Sequence, residues 1–131
     1  MSNIFDRVYP HRRVNMPEIS ERKVVLKRIL FSFVVALAVI LVFSCSSPLY
    51  PFNFWEDPNC FFTMGAGILR GQVPYRDLYE QKGPLLYFIH ALAALISGNS
   101  FIGVFFIQMI ICAITHYYLI KIAGLYVDIS K

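Results

Sequence analysis

Two stretches without a single charged residue organise this chain, Ile29 to Trp55 and Gly83 to Ile120. The first opens as ILFSFVVALAVILVFS and predicts a membrane-spanning helix over 29–49. Tyr50, Phe52, Phe54 and Trp55 follow it, with Pro48 and Pro51 between them. Aromatics gathered at the end of a span sit at headgroup depth. The second stretch holds 38 residues. As one helix it would measure roughly 57 Å, nearly twice the ~30 Å hydrocarbon core, so it must divide. SGNS, Ser97 to Ser100, offers the break, with Gly98 placed to end a helix. The pieces are then Pro84–Ile96, about 20 Å long, and 101–120, about 30 Å long. The longer piece is predicted to span. The shorter one fits an interfacial or re-entrant helix.

Residues 50–100 then form an external loop. In EDPNCFFTMGAGILRG, Asp57 predicts an N-cap and Pro58 the first helical position. Phe61, Met64, Gly65 and Ile68 follow at the spacing of one helical stripe, and Gly71 can end the helix. This predicts an amphipathic helix over about 58–70, lying along the membrane face. A second, over about 84–97, starts at Pro84 after the polar connector GQVPYRDLYEQKGP. The expected fold class is an all-α integral membrane protein: two transmembrane helices joined by an external loop that carries two short membrane-parallel helices.

Composition agrees, since 57% of residues are hydrophobic and only 15% charged, against about a quarter charged in soluble domains. The net charge of +4 is informative through its placement. The lead, residues 1–28, carries Arg7, Arg12, Arg13, Arg22, Lys23, Lys27 and Arg28 against Asp6, Glu18 and Glu21. Basic residues flanking a first span hold that end in the cytoplasm. A tail over 121–131, with Lys121 and Lys131 against Asp128, returns to the same side if only 101–120 crosses. The expected location is the plasma membrane, multi-pass, with a cytoplasmic N-terminus and no nucleic-acid partner. LVFSC resembles a lipoprotein cleavage site, but the lead is long for a signal and Phe43 is bulky where such sites prefer small residues. Cys45 and Cys60 are either a disulfide outside the membrane or two independent thiols, and Cys112 falls within an apolar segment.

An acidic residue soon after the first span, a short helix ending in ILRG, and then PYRDLYEQKGPLLYFIHALAALI resemble the start of GT-C superfamily membrane glycosyltransferases. The likeness is to the branch of protein O-mannosyltransferases and lipid A aminoarabinose transferases, and it covers roughly residues 29–125. Lys82-Gly83-Pro84-Leu85 matches that branch's lysine- or histidine-led Pro-Pro-Leu element, with Gly83 in place of the first proline. The resemblance implies a polyprenyl-phosphate-linked sugar as donor and a cell-envelope acceptor at the outer face. Asp57, with Glu56 as runner-up, would be the general base. Lys82 would stabilise the leaving phosphate, Arg76 would make a bidentate phosphate contact, and Tyr75 and Glu80 complete the expected substrate contacts. No metal ion or other cofactor is expected.

Plainer roles stand beside these. Asp57 would also serve simply as an N-cap. Arg76, Asp77, Glu80 and Lys82 would also form a solvated connector with local ion pairs, and Lys82 would also snorkel to headgroups. His90 and His116 read as packing residues, and Gly65, Ala66 and Gly67 as a close helix approach. Because GT-C enzymes have many more spans, the chain reads as the N-terminal piece of such an enzyme, inactive without its remainder or a partner membrane subunit. The alternative is a small non-enzymatic membrane protein that binds anionic lipid or a partner's helices.

Overall fold

The computed structural model describes residues 18–126. Expectations about the lead before Glu18, and about Asp128 and Lys131 in the tail, lie outside the described residues. Among the described residues four helices account for nearly all the regular structure: α1 Glu18–Phe43, α2 Glu56–Leu69, α3 Pro84–Ile96 and α4 Ile102–Tyr126. Among the described residues there is no strand, only an isolated bridge between Pro74 and Leu78. The fold is all-α. Two of its helices, over Glu21–Phe43 and Ile102–Tyr126, are long and apolar enough to cross a membrane.

α1 and α4 pack against each other as an antiparallel pair. Near one end, the Ser44 hydroxyl just past α1 donates to Gln108 Oε1 in α4 at 2.7 Å. Farther along, the Phe31 and His116 rings lie 5.8 Å apart. Sequence numbers that fall along one helix while they rise along the other define the hairpin. α2 and α3 form a second packed pair, and α3 also packs on α4.

α1 stops at Phe43, short of the expected boundary at 49, and Ser44 to Tyr50 form turns. The residues themselves explain this. Ser44 Oγ accepts from the Ser46 amide and Ser47 Oγ from the Leu49 amide, both at 3.2 Å. Serine hydroxyls thus offer the backbone a local alternative to helical bonding. The Tyr50 hydroxyl folds back to the Val42 carbonyl at 2.6 Å, satisfying one of the acceptors a helix leaves open at its C-terminus.

Backbones come close at two glycines. A Cβ at Gly65 would overlap the backbone of His90 and Ala91, so α2 seats directly on α3 there. A Cβ at Gly103 would overlap the Ala93 carbonyl, which locks α4 to α3. Met64 and Gly65 of the expected stripe are buried, with Phe61 and Ile68 half-buried. α3 starts at Pro84 and ends at Ile96, and the break falls in SGNS as the sequence predicts. Gly98 does not take a left-handed conformation, however. Ser97 closes the helix in extended conformation, its amide bonded to the Ala93 carbonyl at 3.1 Å. α4 continues past 120 to Tyr126. Lys121 is therefore a helical residue, its ammonium 5.9 and 5.8 Å from the Tyr117 and Tyr118 rings.

Candidate functional site

The connector between α2 and α3 is held by its own side chains. α2 ends in a Schellman arrangement: Gly71 sits at φ +84°, its amide bonds to the Ile68 carbonyl, and the Gln72 amide reaches the Gly67 carbonyl, both at 3.0 Å. The turn that follows places Tyr75 at φ +66°, a region that side chains other than glycine seldom occupy. Several bonds hold it there. The Tyr75 amide donates to the Leu78 carbonyl at 2.7 Å and the Asp77 amide to the Val73 carbonyl at 2.9 Å. The Val73 amide donates to Asp77 Oδ2 at 2.7 Å.

Asp77 is thus a structural acceptor, and Arg76 is its main partner. Nε and Nη2 of Arg76 reach the two carboxylate oxygens at 2.9 and 2.8 Å. The Arg76 hydrogen bonds, followed by the Val73 amide, hold the Asp77 carboxyl down at about 2. The same pairing raises Arg76. The guanidinium remains largely exposed, with 70% of its side-chain surface open.

Lys82 is positioned through its backbone. Its carbonyl accepts the Tyr75 hydroxyl at 2.5 Å and the Tyr87 hydroxyl at 2.8 Å. The two rings lie 5.9 Å apart, and Tyr87 is wholly buried. The Lys82 side chain is exposed and makes no ion pair. Gly83 follows at φ −72°, a value that proline also adopts, and Pro84 opens α3. Glu80 is half-buried. Its Oε1 accepts the Gln81 amide at 2.7 Å, and it lines a hollow with Asn59, Cys60 and Thr63 of α2.

Asp57 is not the N-cap of α2. The helix starts at Glu56 after Trp55, so Glu56 and Asp57 both lie in the first turn and neither side chain caps it. Asn53 and Asn59 organise the entry. Asn53 Oδ1 accepts the Trp55 amide at 3.1 Å, while Asn59 Nδ2 bonds the carbonyls of Asn53 and Trp55 at 2.8 and 2.6 Å. Pro58 becomes the third helical residue, a place where a missing N–H costs nothing. Both acids are exposed and face the positive end of the helix dipole.

Of the expected site residues, the structure joins Tyr75 to Lys82, ties Arg76 to Asp77, and leaves Asp57, Glu56 and the Lys82 ammonium out of any ion pair with one another. Comparison with known protein families, with characterised proteins and with solved structures finds no match for this chain. Among the described residues no three His, Cys, Asp or Glu side chains come together in a way that could hold a metal ion. The three cysteines are free thiols, Cys45 and Cys112 half-buried and Cys60 exposed. His90 is buried, its Nδ1 2.9 Å from the Leu86 carbonyl and its ring edge-on to Phe61.

Sequence reasoning missed Tyr87 and the structural duty of Asp77. The first had a usable signal, a tyrosine three residues into an apolar helix, where a buried hydroxyl must find an acceptor. The second had none, because a turn with a left-handed tyrosine is not foreseeable from residue type.

Proposed function

We propose that α1 and α4 cross a membrane as an antiparallel pair, and that the connector face works on a polyprenyl-phosphate-linked sugar as part of a GT-C type glycosyltransferase. The membrane reading is supported by large apolar side chains left exposed along both helices, Leu30, Phe31, Val34, Ile110 and Ile114 among them. Both helices then exceed the ~30 Å hydrocarbon core, and α2, α3 and the connector share the outer side. Phe52, Phe54 and Trp55, all exposed at that end, suit headgroup depth.

One observation carries the transfer reading. Asp57 and Lys82 are opposite charges, both exposed, and neither is neutralised by an ion pair. A site for an outside reactant needs both groups free. In the reaction, the acceptor hydroxyl oxygen bonds to the anomeric carbon while Asp57 takes its proton. The bond from that carbon to the phosphate oxygen breaks, and the oxygen leaves with the electron pair. Lys82 stabilises the charge that develops on it. Arg76 uses two of its five N–H groups on Asp77 and keeps the others for a phosphate. A pocket for a lipid-linked sugar needs walls on several sides. On this reading the other walls come from further membrane helices, of the enzyme's remainder or of a partner subunit.

The test is transfer of labelled sugar from a polyprenyl-phosphate donor in membranes containing the chain and its native partners. Asp57→Asn and Lys82→Ala each abolish transfer with the protein still inserted; near-normal transfer in either removes that residue from the site. The purified 131-residue chain alone gives no transfer. If Lys82→Ala leaves transfer intact but weakens binding to anionic vesicles, the connector is a lipid-headgroup contact.

A further inference from the structure

A second cavity, of about 390 Å³, lies where the turn after α1 meets the entry to α2 and the start of α4. It shares no lining residue with the acid and base of the proposed transfer site. Its size falls within the ~300–1,000 Å³ usual for small-molecule sites. Its walls are polar without being charged. Among the described residues no lysine, arginine, acid or histidine lines it. Ser46, Asn53, Asn59 and Asn99 do, beside the rings of Tyr50, Phe52 and Phe101.

The hydrogen bonds of these side chains are only partly used. Asn53 is 8% exposed and its Oδ1 accepts the Trp55 amide, which leaves its Nδ2 hydrogens without a protein partner. Asn59 uses its Nδ2 on two carbonyls, which leaves Oδ1. Ser46 is 6% exposed, and its hydroxyl has no protein partner. The Asn99 amide has none either. Neutral donors and neutral acceptors are therefore left over together, in a cavity that three aromatic side chains also line.

This combination selects a ligand class. A phosphate or carboxylate would enter without a cation to meet it. An acyl chain would leave the amides and the Ser46 hydroxyl unsatisfied, a cost that falls on buried polar groups in full. Neighbouring hydroxyls on a carbon ring both donate and accept, matching amide nitrogen, amide oxygen and serine together, while the ring's C–H face packs on an aromatic side chain. We infer that the cavity lined by Ser46, Asn53, Asn59 and Asn99 binds an uncharged polyol of sugar-ring type. The inference does not rest on the transferase reading, and its ligand is either a free glycan or the headgroup of a glycolipid.

The experiment uses the full chain in lipid nanodiscs, with two probes. Methyl hexopyranosides are followed by saturation-transfer NMR, and a monohexosyl diacylglycerol, incorporated in the disc, by its protection of cavity amides from hydrogen exchange. Saturable binding of the methyl glycosides assigns a free glycan; protection by the glycolipid alone assigns a lipid-borne headgroup. In either case Asn99→Ala, an exposed position that leaves the fold intact, weakens binding roughly 3- to 10-fold, the loss of one hydrogen bond. Ser46→Ala weakens it similarly. Asn53→Ala abolishes it, and circular dichroism distinguishes that loss from unfolding. Binding of neither probe to the wild type, or binding that Asn99→Ala and Ser46→Ala both leave unchanged, overturns the inference and makes the cavity a water-filled amide cluster.

Discussion

Arg76 lays two N–H groups on the carboxylate of Asp77, its immediate neighbour in the chain, at 2.9 and 2.8 Å. Neighbours in extended chain point to opposite sides. They meet here because both lie in a turn instead of extended chain, their amides bonded to the Val73 carbonyl at 3.2 and 2.9 Å. The second Asp77 oxygen also holds the Val73 amide, so one carboxylate ties both the turn and the guanidinium.

The first prediction concerns acid. Asp77 titrates at about 2, below its usual value of about 3.9. A depressed carboxyl contributes order that is fully present above the usual value and is lost as pH falls through the lowered one. The connector therefore keeps its turn at pH 4 and loosens toward pH 2. Carboxyl carbon shifts of Asp77 followed against pH should show a midpoint near 2; a midpoint near 4 would mean that the Arg76 pairing is not formed. Asp77→Asn keeps an acceptor for the Val73 amide but releases Arg76. If Arg76 is a phosphate contact, the variant binds phosphate more tightly than wild type.

Much of the fold was legible because a few residues decide it locally. Pro84 can only begin a helix, the SGNS run ends it, and Gly71 takes the positive φ that closes α2. Hydropathy carries α1 past its true end at Phe43 because it does not register serines that hold their own turn through Ser44 and Ser47. Residue type points to Asp57 as the cap, but Asn59 reaches back across the helix entry to do the structural work. The site was legible only as a set of candidate residues. Which charges pair, and which stay free, depends on a backbone turn that no residue preference announces.

Close helix approach gives the second prediction. In Gly65→Ala the new methyl meets the backbone of His90 and Ala91, which has no flexible end to give way. Overpacking of this kind costs about 1–3 kcal/mol. Gly98→Ala is the control, because its Cβ would stand 3.7 Å from the Ala94 carbonyl, an ordinary contact at a φ that alanine tolerates. Reversible unfolding in mixed micelles should separate the two variants. Equal stability would show that α2 does not seat on α3 at Gly65.

Two hydroxyls on one carbonyl give the third. Tyr87→Phe leaves the Lys82 carbonyl bonded to Tyr75, and Tyr75→Phe leaves it bonded to Tyr87. Each single change costs at most about 1 kcal/mol, near the net value of one hydrogen bond. The double variant strips the carbonyl of both, and its cost exceeds the sum of the singles. Additive losses in the same unfolding assay would show that the two bonds do not share the acceptor.

The last prediction tests the hairpin itself. Ser44 and Gln108 are joined at 2.7 Å across α1 and α4, and Gln108 is the one amide side chain within α4. A polar side chain in an apolar helix most often serves a neighbouring helix. The bond is worth about 0.6 kcal/mol if it behaves as interhelical bonds in membranes do, because the separated helices find other partners. A double-mutant cycle of Ser44→Ala and Gln108→Leu should return a coupling of that size. Each single change alone gives a loss that mixes packing with hydrogen bonding, so only the coupling is diagnostic. A coupling of zero would place the two residues apart and undo the antiparallel register at this end. Phe31→Ala and His116→Ala, coupled through their ring contact nearer the other end, would then show whether the helices still pair at all.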